Sequence, residues 1–150
     1  MCDYSLAGMS NRLAIEGEQL LIHQFPTGSL GLVSGRRRFR EILFPSMMVA
    51  VCIPPWAHLV LHDIPDHLQL RLGVSSVEEV IFVQSTSDAL TYRDSVRFGN
   101  GREVLLQQLR CDQRVIVLSL SDEDEIAFRS SKRADSFADQ RSPLMAQTGR

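Results

Sequence analysis

Two cysteines and two histidines are the residues of this sequence whose side chains suit metal or redox chemistry: Cys2, Cys52, His58 and His62. Thiolates are soft ligands for zinc or copper(I), and imidazoles commonly complete such sites. His58 and His62 lie four residues apart in an apolar stretch that is typical of a β-strand. Because side chains alternate across a strand, this even spacing places both imidazoles on one side. The four residues therefore define a candidate site for a zinc or copper ion.

The same two cysteines allow a second kind of chemistry. Cys2 and Cys52 could form a reversible disulfide if the fold brings their Cα atoms within ~7 Å of each other. A third interpretation is structural, because a buried cysteine often packs as a small apolar residue without reacting. The sequence leaves metal binding, thiol redox chemistry and inert packing as open alternatives.

Cys2 is also a candidate N-terminal nucleophile. Removal of Met1 would place its thiol beside a free α-amine, which can act as the base for attack on an amide. Amidotransferases that begin Met-Cys continue into a large sandwich of two sheets between helix layers, whereas this sequence predicts one short helix. The sequence also lacks a P-loop and the G-x-G-x-x-G, H-E-x-x-H and G-x-S-x-G motifs. These observations favour a non-enzymatic binding or regulatory module over an enzyme. The alternative is a metal-binding or thiol-redox protein that uses Cys2 and Cys52.

The elements that must position these residues are mainly strands. Residues 92–98 alternate between two sets of side chains, which is typical of a strand with one dry face. Gly99, Asn100 and Gly101 favour a tight reversal, because Asn and Gly tolerate the positive φ of hairpin turns. Residues 102–109 and 114–120 complete a predicted C-terminal β-meander. Residues 115–118 of its third strand are all apolar, which predicts burial on both faces.

One short helix is predicted after residue 64. Pro65 has the φ that a first helical turn requires, and Leu68 and Leu72 share a face at four-residue spacing. Gly73 can close the helix in a left-handed conformation. Turn signals elsewhere separate four further predicted strands, at residues 19–25, 30–33, 56–61 and 77–84.

These elements predict a single mainly-β domain of roughly six to eight short strands, closed as a small barrel or sandwich. The domain is predicted to span residues 1–122, and residues 123–150 are predicted to be a flexible C-terminal tail. Ordering a residue costs ~1–2 kcal/mol of backbone entropy. Burial of one large side chain returns only ~1.5–3 kcal/mol. The few large apolar side chains after residue 122 cannot offset that cost.

Composition narrows the classes of partner. The net charge of −2 gives no reason to expect nucleic acid. No apolar run approaches the ~20 residues needed to cross a bilayer, and no signal peptide opens the chain. The odd cysteine count argues against a secreted disulfide framework. We therefore expect a cytoplasmic protein without a membrane partner, which leaves a protein partner or a second copy of the chain. Four arginines within residues 36–40 are interpreted as a solvated loop, with phosphate binding as the alternative.

Two parts of the sequence resemble a group of small uncharacterised bacterial proteins. The first part is Met-Cys-Asp-Tyr-Ser-Leu at residues 1–6, Asn-Arg-Leu-Ala at 11–14 and Phe-Pro-Thr-Gly-Ser at 25–29. The second is Val-Cys-Ile-Pro-Pro at 51–55, Asp-Ile-Pro at 63–65 and Tyr-Arg-Asp through Leu-Leu-Gln at 92–107. In that group a glycine turn more often follows the proline pair, where this chain has Trp56 and Ala57. The resemblance implies a bacterial origin and an intact domain over residues 1 to about 120, and it carries over no functional residue.

Overall fold

The computed structural model describes residues 8–36, 43–44, 48–88 and 90–120, and these residues are mainly β. The bounds of the elements, in chain order, are β1 Asn11–Leu13, β2 Gln19–Gln24, β3 Leu30–Ser34, β4 Ala50–Cys52, β5 His58–Leu61, α1 Asp66–Leu72, β6 Glu78–Gln84, β7 Asp94–Phe98, β8 Glu103–Leu105, a 3-10 turn Leu106–Gln108 and β9 Arg114–Ser119. The predicted mainly-β class is confirmed, and the predicted short helix is present. No helix in the described part of the chain is long and apolar enough to span a membrane.

Three predictions concern residues outside the described ranges. They are the flexible tail at residues 123–150, the solvated loop at residues 37–40 of the arginine run, and the chemistry assigned to Cys2. All three stay predictions.

Seven strands form one antiparallel sheet in the order β3-β2-β9-β5-β6-β7-β8. β5 to β8 pair with one another consecutively, as in a meander. β9, the third strand of the predicted C-terminal meander, is inserted between β2 and β5 instead of lying beside β8. There Val115 is opposite both Leu20 and Leu61, and all three side chains are buried. This place in the sheet pairs both edges of β9, whereas a place at the end of the sheet would leave one edge unpaired.

The side chains of β9 alternate between the core and the outer face of the sheet. Val115 and Val117 are 2% and 0% exposed, whereas Ile116 is half-buried and Leu118 is 44% exposed. The prediction that this strand is buried on both faces is therefore wrong. The reason is that the strand needs apolar side chains only where it faces the main core, which it shares with α1 and β4.

A second, two-stranded sheet covers part of the core. β1 and β4 pair in parallel, with Leu13 opposite Cys52. Val51 of β4 and Ile53 just after it join the main core cluster, whereas Ala50 packs in a smaller cluster with the buried side chains of Phe25, Val33 and Met48. β4 is therefore buried on both of its faces and lies between the two clusters.

The helix forms where the sequence predicts it. Pro65 lies immediately before α1, and Leu68 and Leu72 are buried against the sheet. Gly73 ends the helix with φ of 65°, and its N–H donates to the carbonyl of Gln69 at 2.8 Å. The side chain of Asn100, in the β7–β8 hairpin, donates to the carbonyl of Leu72 at 2.8 Å. The hairpin thus satisfies a backbone acceptor that a helix C-terminus leaves without an intrahelical partner.

Among the described residues, strand pairing does not close the sheet into a barrel, because β3 and β8 are its two ends. Instead, the side-chain amide of Gln107 binds both backbone groups of Leu30 at the start of β3. The Leu30 N–H donates to Oε1 at 2.7 Å, and Nε2 donates to the Leu30 carbonyl at 2.7 Å. One primary amide thus makes the two hydrogen bonds that a neighbouring strand would make. We refer to this contact as the Gln107 seam.

Replacing Gln107 with leucine is expected to lower the free energy of unfolding by about 1–3 kcal/mol, because two backbone groups of Leu30 lose their partner. Chemical denaturation followed by far-UV circular dichroism measures the change. Gln108→Leu is the matched control, since Gln108 is exposed and its side chain accepts only one longer hydrogen bond, of 3.3 Å, from the Leu105 N–H. Equal effects of the two substitutions would show that the Gln107 seam contributes nothing specific.

The turn before β5 places a tryptophan in the left-handed region. Trp56 has φ of 74°, and its N–H donates to the carbonyl of Phe82 at 2.7 Å. The guanidinium carbon of Arg97 lies 5.6 Å from the centroid of the Trp56 ring, within the range of a cation–π contact. The chain thus makes a left-handed turn after its proline pair with a residue type that disfavours it.

Trp56→Gly is expected to leave the protein about 0.5–1 kcal/mol more stable than Trp56→Ala, because glycine adopts a positive φ at low steric cost. Both substitutions remove the indole ring and its contact with Arg97. The difference between their free energies of unfolding therefore reports the cost of the left-handed backbone conformation alone. Parallel urea denaturation of the two variants measures it. Equal stability, or a more stable alanine variant, would show that the turn relaxes out of the left-handed region.

Candidate functional site

The two predicted histidine ligands lie at and just beyond β5. His58 is 4% exposed, and its Nδ1 is 3.3 Å from Oε1 of Glu79 on β6. His62 follows the strand and is half-buried. The side chains of Leu59 and Leu61 are in the main core, so strand alternation places the imidazole of His58 on the opposite side of the sheet, whereas His62 lies beyond the end of β5.

Cys52 is 7% exposed at the end of β4 and is disulfide-bonded, whereas Cys111 is free and exposed. A sulfur in a disulfide is not a thiolate and cannot act as a soft metal ligand. Within the described ranges, no three ligand atoms from His, Cys, Asp or Glu that lie within 4.8 Å of one another include Cys52, His58 or His62. Cys2 lies outside the described residues. A metal site that uses Cys2 therefore stays a prediction, and in the disulfide state Cys52 could not contribute to it.

A different set of ligands converges at the junction of β2 and β9. The ligand atoms of His23, Cys111 and Asp112 all lie within 4.8 Å of one another. His23 is half-buried on β2, and Cys111 and Asp112 are exposed in the turn that precedes β9. The sequence places residue 23 in the predicted strand 19–25 and residues 110–113 between two predicted strands. The adjacent Cys-Asp pair was the available signal, but its histidine partner becomes apparent only when β2 and β9 are paired.

Backbone hydrogen bonds hold the turn against β2. The Asp112 N–H donates to the Ile22 carbonyl at 2.7 Å, and the Ile22 N–H donates to the Gln113 carbonyl at 3.0 Å. Gln113 is fully buried, and its side-chain carbonyl accepts from the Arg110 N–H at 3.2 Å across the turn. Asp112 has φ of 64°, a conformation that Asp tolerates better than most residues. These bonds hold the turn that carries Cys111 and Asp112 against Ile22, which immediately precedes His23 in β2.

The imidazole of His23 is oriented by an aromatic neighbour. The ring of Phe25 lies 5.8 Å from it, centroid to centroid, at an interplanar angle of 79°. Phe25 is 2% exposed, so this edge-to-face contact rests on a side chain that is itself held by the smaller core cluster. The three ligand side chains are therefore presented by a paired strand and a hydrogen-bonded turn.

A polar groove of about 560 Å³ lies at the other end of β2 and is lined by Ile15, Glu16, Gly17, Glu18, Gln19, Ser34, Gly35 and Arg36. Its acidic groups already bind partners within the chain. Glu18 forms an ion pair with Arg12, whose guanidinium lowers the pKa of the Glu18 carboxyl although burial acts in the opposite direction. Glu16 accepts from the Leu120 N–H at 2.9 Å. These bonds explain both carboxylates structurally, so the groove does not define a ligand class.

Comparison with protein-family models, with curated proteins and with solved structures gave no match. The resemblance to the group of small bacterial proteins therefore stays a prediction.

Proposed function

We propose that this protein is a non-enzymatic binding or regulatory module whose fold responds to thiol redox state through Cys2 and Cys52. The observation that supports the proposal is the disulfide at Cys52, a residue buried at the end of β4. The chain contains three cysteines, and Cys111 is free. Cys2 is the remaining candidate partner, in agreement with the disulfide alternative that the sequence raises.

Chain geometry permits this pairing. β1 begins at Asn11 and runs parallel to β4, with Leu13 opposite Cys52. The eight residues between Cys2 and Asn11 let the two Cα atoms lie up to about 30 Å apart, far more than the separation of neighbouring strands. The chain before β1 is therefore long enough to bring Cys2 to Cys52 without displacing β1.

The redox step is a thiol–disulfide exchange. A thiolate, from a low-molecular-weight thiol or a partner dithiol, attacks one sulfur, and the second sulfur leaves as a thiolate that takes up a proton. A second external thiol then attacks the mixed disulfide and releases the protein. In total, two external thiols are oxidised to one disulfide, and the protein disulfide is reduced to two thiols. Because Cys52 is buried, its sulfur is shielded from direct attack by an external thiolate.

The consequence for binding concerns the strand beside Cys52. Leu13 and Ile15 are 67% and 64% exposed, and Leu13 lies directly opposite Cys52. Loss of the disulfide leaves β1 and the residue after it held by three residue pairs with β4, by the Arg12–Glu18 ion pair, and by Ala14, which is buried and donates its N–H to the Cys52 carbonyl at 2.9 Å. In this proposal the exposed side chains of Leu13, in β1, and of Ile15, just after it, form a binding surface whose order depends on the disulfide.

Peptide mapping tests the proposal directly. Untagged protein is alkylated under denaturing, non-reducing conditions and digested with trypsin. We expect the peptide of residues 1–12 to be cross-linked to that of residues 41–71, and the peptide of residues 111–114 to be alkylated. A glutathione redox titration should then shift the cross-linked fraction and the susceptibility of the Arg12 bond to trypsin together.

Cys111→Ser is the matched control, and it should change neither the cross-link nor the redox titration. Recovery of alkylated Cys52 from the non-reduced protein would contradict the proposal. So would a cross-link whose reduction leaves cleavage at Arg12 unchanged, because the disulfide would then be structural without a regulatory effect.

A further inference from the structure

The geometry points to a second site, independent of Cys52: we propose that His23, Cys111 and Asp112 bind a zinc ion at the junction of β2 and β9. The three side chains offer one nitrogen, one sulfur and one oxygen ligand, and these atoms lie within 4.8 Å of one another. Cys111 is free, so its sulfur can become the thiolate that a metal requires. Convergence of three different ligand types is the observation that carries the proposal.

The separations suit a tetrahedral ion after small side-chain rotations. Metal–ligand distances of about 2.0–2.3 Å place neighbouring ligand atoms of a tetrahedral zinc site about 3.3–3.8 Å apart. The backbone of the site is already set by the hydrogen bonds between Ile22 and the turn at Asp112. Only the side chains must close around the ion, because the elements that carry them are fixed by the sheet.

The ligand set selects the class of metal. Calcium and magnesium prefer oxygen ligands throughout, whereas a thiolate with an imidazole favours zinc or another borderline or soft ion. Three protein ligands leave one tetrahedral position for water or an external ligand. Because Cys111 and Asp112 are exposed, that position is open to solvent and the ion is exchangeable. Protons compete for the imidazole and the thiolate, so affinity falls as the pH is lowered.

The test uses the untagged full-length chain, treated with a chelator, dialysed and kept without reductant so that the state of Cys52 does not change. Zn²⁺ is titrated against a chromophoric chelator, and Co²⁺ binding is followed by absorption. We expect one Zn²⁺ per chain and a sulfur-to-cobalt charge-transfer band. Cys111→Ser should abolish that band. His23→Gln and Asp112→Asn should each weaken Zn²⁺ binding by at least ~10–100-fold. Loss of a residue that only hydrogen-bonds to a metal ligand already costs that much.

The controls separate ligand loss from damage to the fold. Asparagine tolerates the positive φ of residue 112, so Asp112→Asn retains the turn. His67→Gln removes an exposed histidine of α1 that does not belong to the cluster, and it should leave Zn²⁺ affinity unchanged. Binding that survives all three ligand substitutions would overturn the proposal, as would a Co²⁺ spectrum without the charge-transfer band. Neither outcome bears on the Cys52 disulfide, whose peptide map is measured separately.

Discussion

Replacing Phe82 with alanine is expected to lower the free energy of unfolding by about 3–5 kcal/mol, the usual cost of deleting a buried aromatic side chain. Phe82 lies on β6 and is 2% exposed within the main core cluster. Its backbone also holds the turn before β5, because its N–H donates to the Ala57 carbonyl at 2.8 Å and its carbonyl accepts from the Trp56 N–H. The substitution thus opens a cavity in the main core. Urea denaturation gives the change in stability.

Leu70→Ala is the control for the loss of an apolar side chain without a cavity. Leu70 lies on α1 and is 86% exposed, so its truncation should change stability by less than about 0.5 kcal/mol. A cost below about 1 kcal/mol for Phe82→Ala would mean that the core collapses around the missing ring. That result would contradict the close packing described for the sheet and α1.

Loss of the disulfide at Cys52 is the second large effect that we expect. Cys52→Ala should lower the free energy of unfolding by about 2–4 kcal/mol under oxidising conditions. If Cys2 is the partner, the cross-link closes a loop of about 50 residues, and the chain-entropy model then gives about 4 kcal/mol. Removal of the buried sulfur adds a smaller packing loss. Equilibrium denaturation of wild type and variant, with and without dithiothreitol, measures the difference.

Cys111→Ala separates the disulfide from cysteine content in general. Its side chain is exposed and free, so the substitution should change stability little and should leave the effect of dithiothreitol intact. In the Cys52→Ala variant, dithiothreitol should have no further effect. Complete reduction of the wild type by dithiothreitol is verified by alkylation. If its free energy of unfolding is then the same as without dithiothreitol, this expectation is contradicted.

The parts of the fold that the sequence predicts correctly depend on interactions between near neighbours in the chain. Pro65, the spacing of Leu68 and Leu72, and Gly73 together determine where α1 begins, which face it buries and where it ends. The β7–β8 hairpin likewise follows from Asn100 and Gly101, which lie in the turn itself. Each of these features is determined by residues that lie a few positions apart in the sequence. Residue spacing and turn preferences are therefore enough to identify it.

Features that depend on distant pairings could not be predicted in this way. Nothing local to residues 114–119 indicates that β9 is inserted between β2 and β5, because both neighbours lie far away in the sequence. The Gln107 seam has the same origin, since its partner Leu30 precedes it by a large part of the chain. In the sequence, a glutamine that faces water cannot be distinguished from one that binds two backbone groups.

The candidate sites show the same division. Cys52 stands out in the sequence because cysteine is rare in this chain and reactive. The cluster of His23, Cys111 and Asp112 does not stand out, because His23 and the turn that carries the other two residues are far apart in the sequence. An alternating strand pattern predicts which face His23 occupies but gives no information about the strand beside it.

The Gln107 seam also bears on how this chain behaves in a concentrated solution. A sheet that ends in unpaired strands offers backbone donors and acceptors to any passing extended segment, and such edges are templates for intermolecular pairing. The amide of Gln107 occupies both groups of Leu30, at the start of one terminal strand. The same contact therefore leaves neither backbone group of Leu30 available to an incoming strand at that point of the sheet.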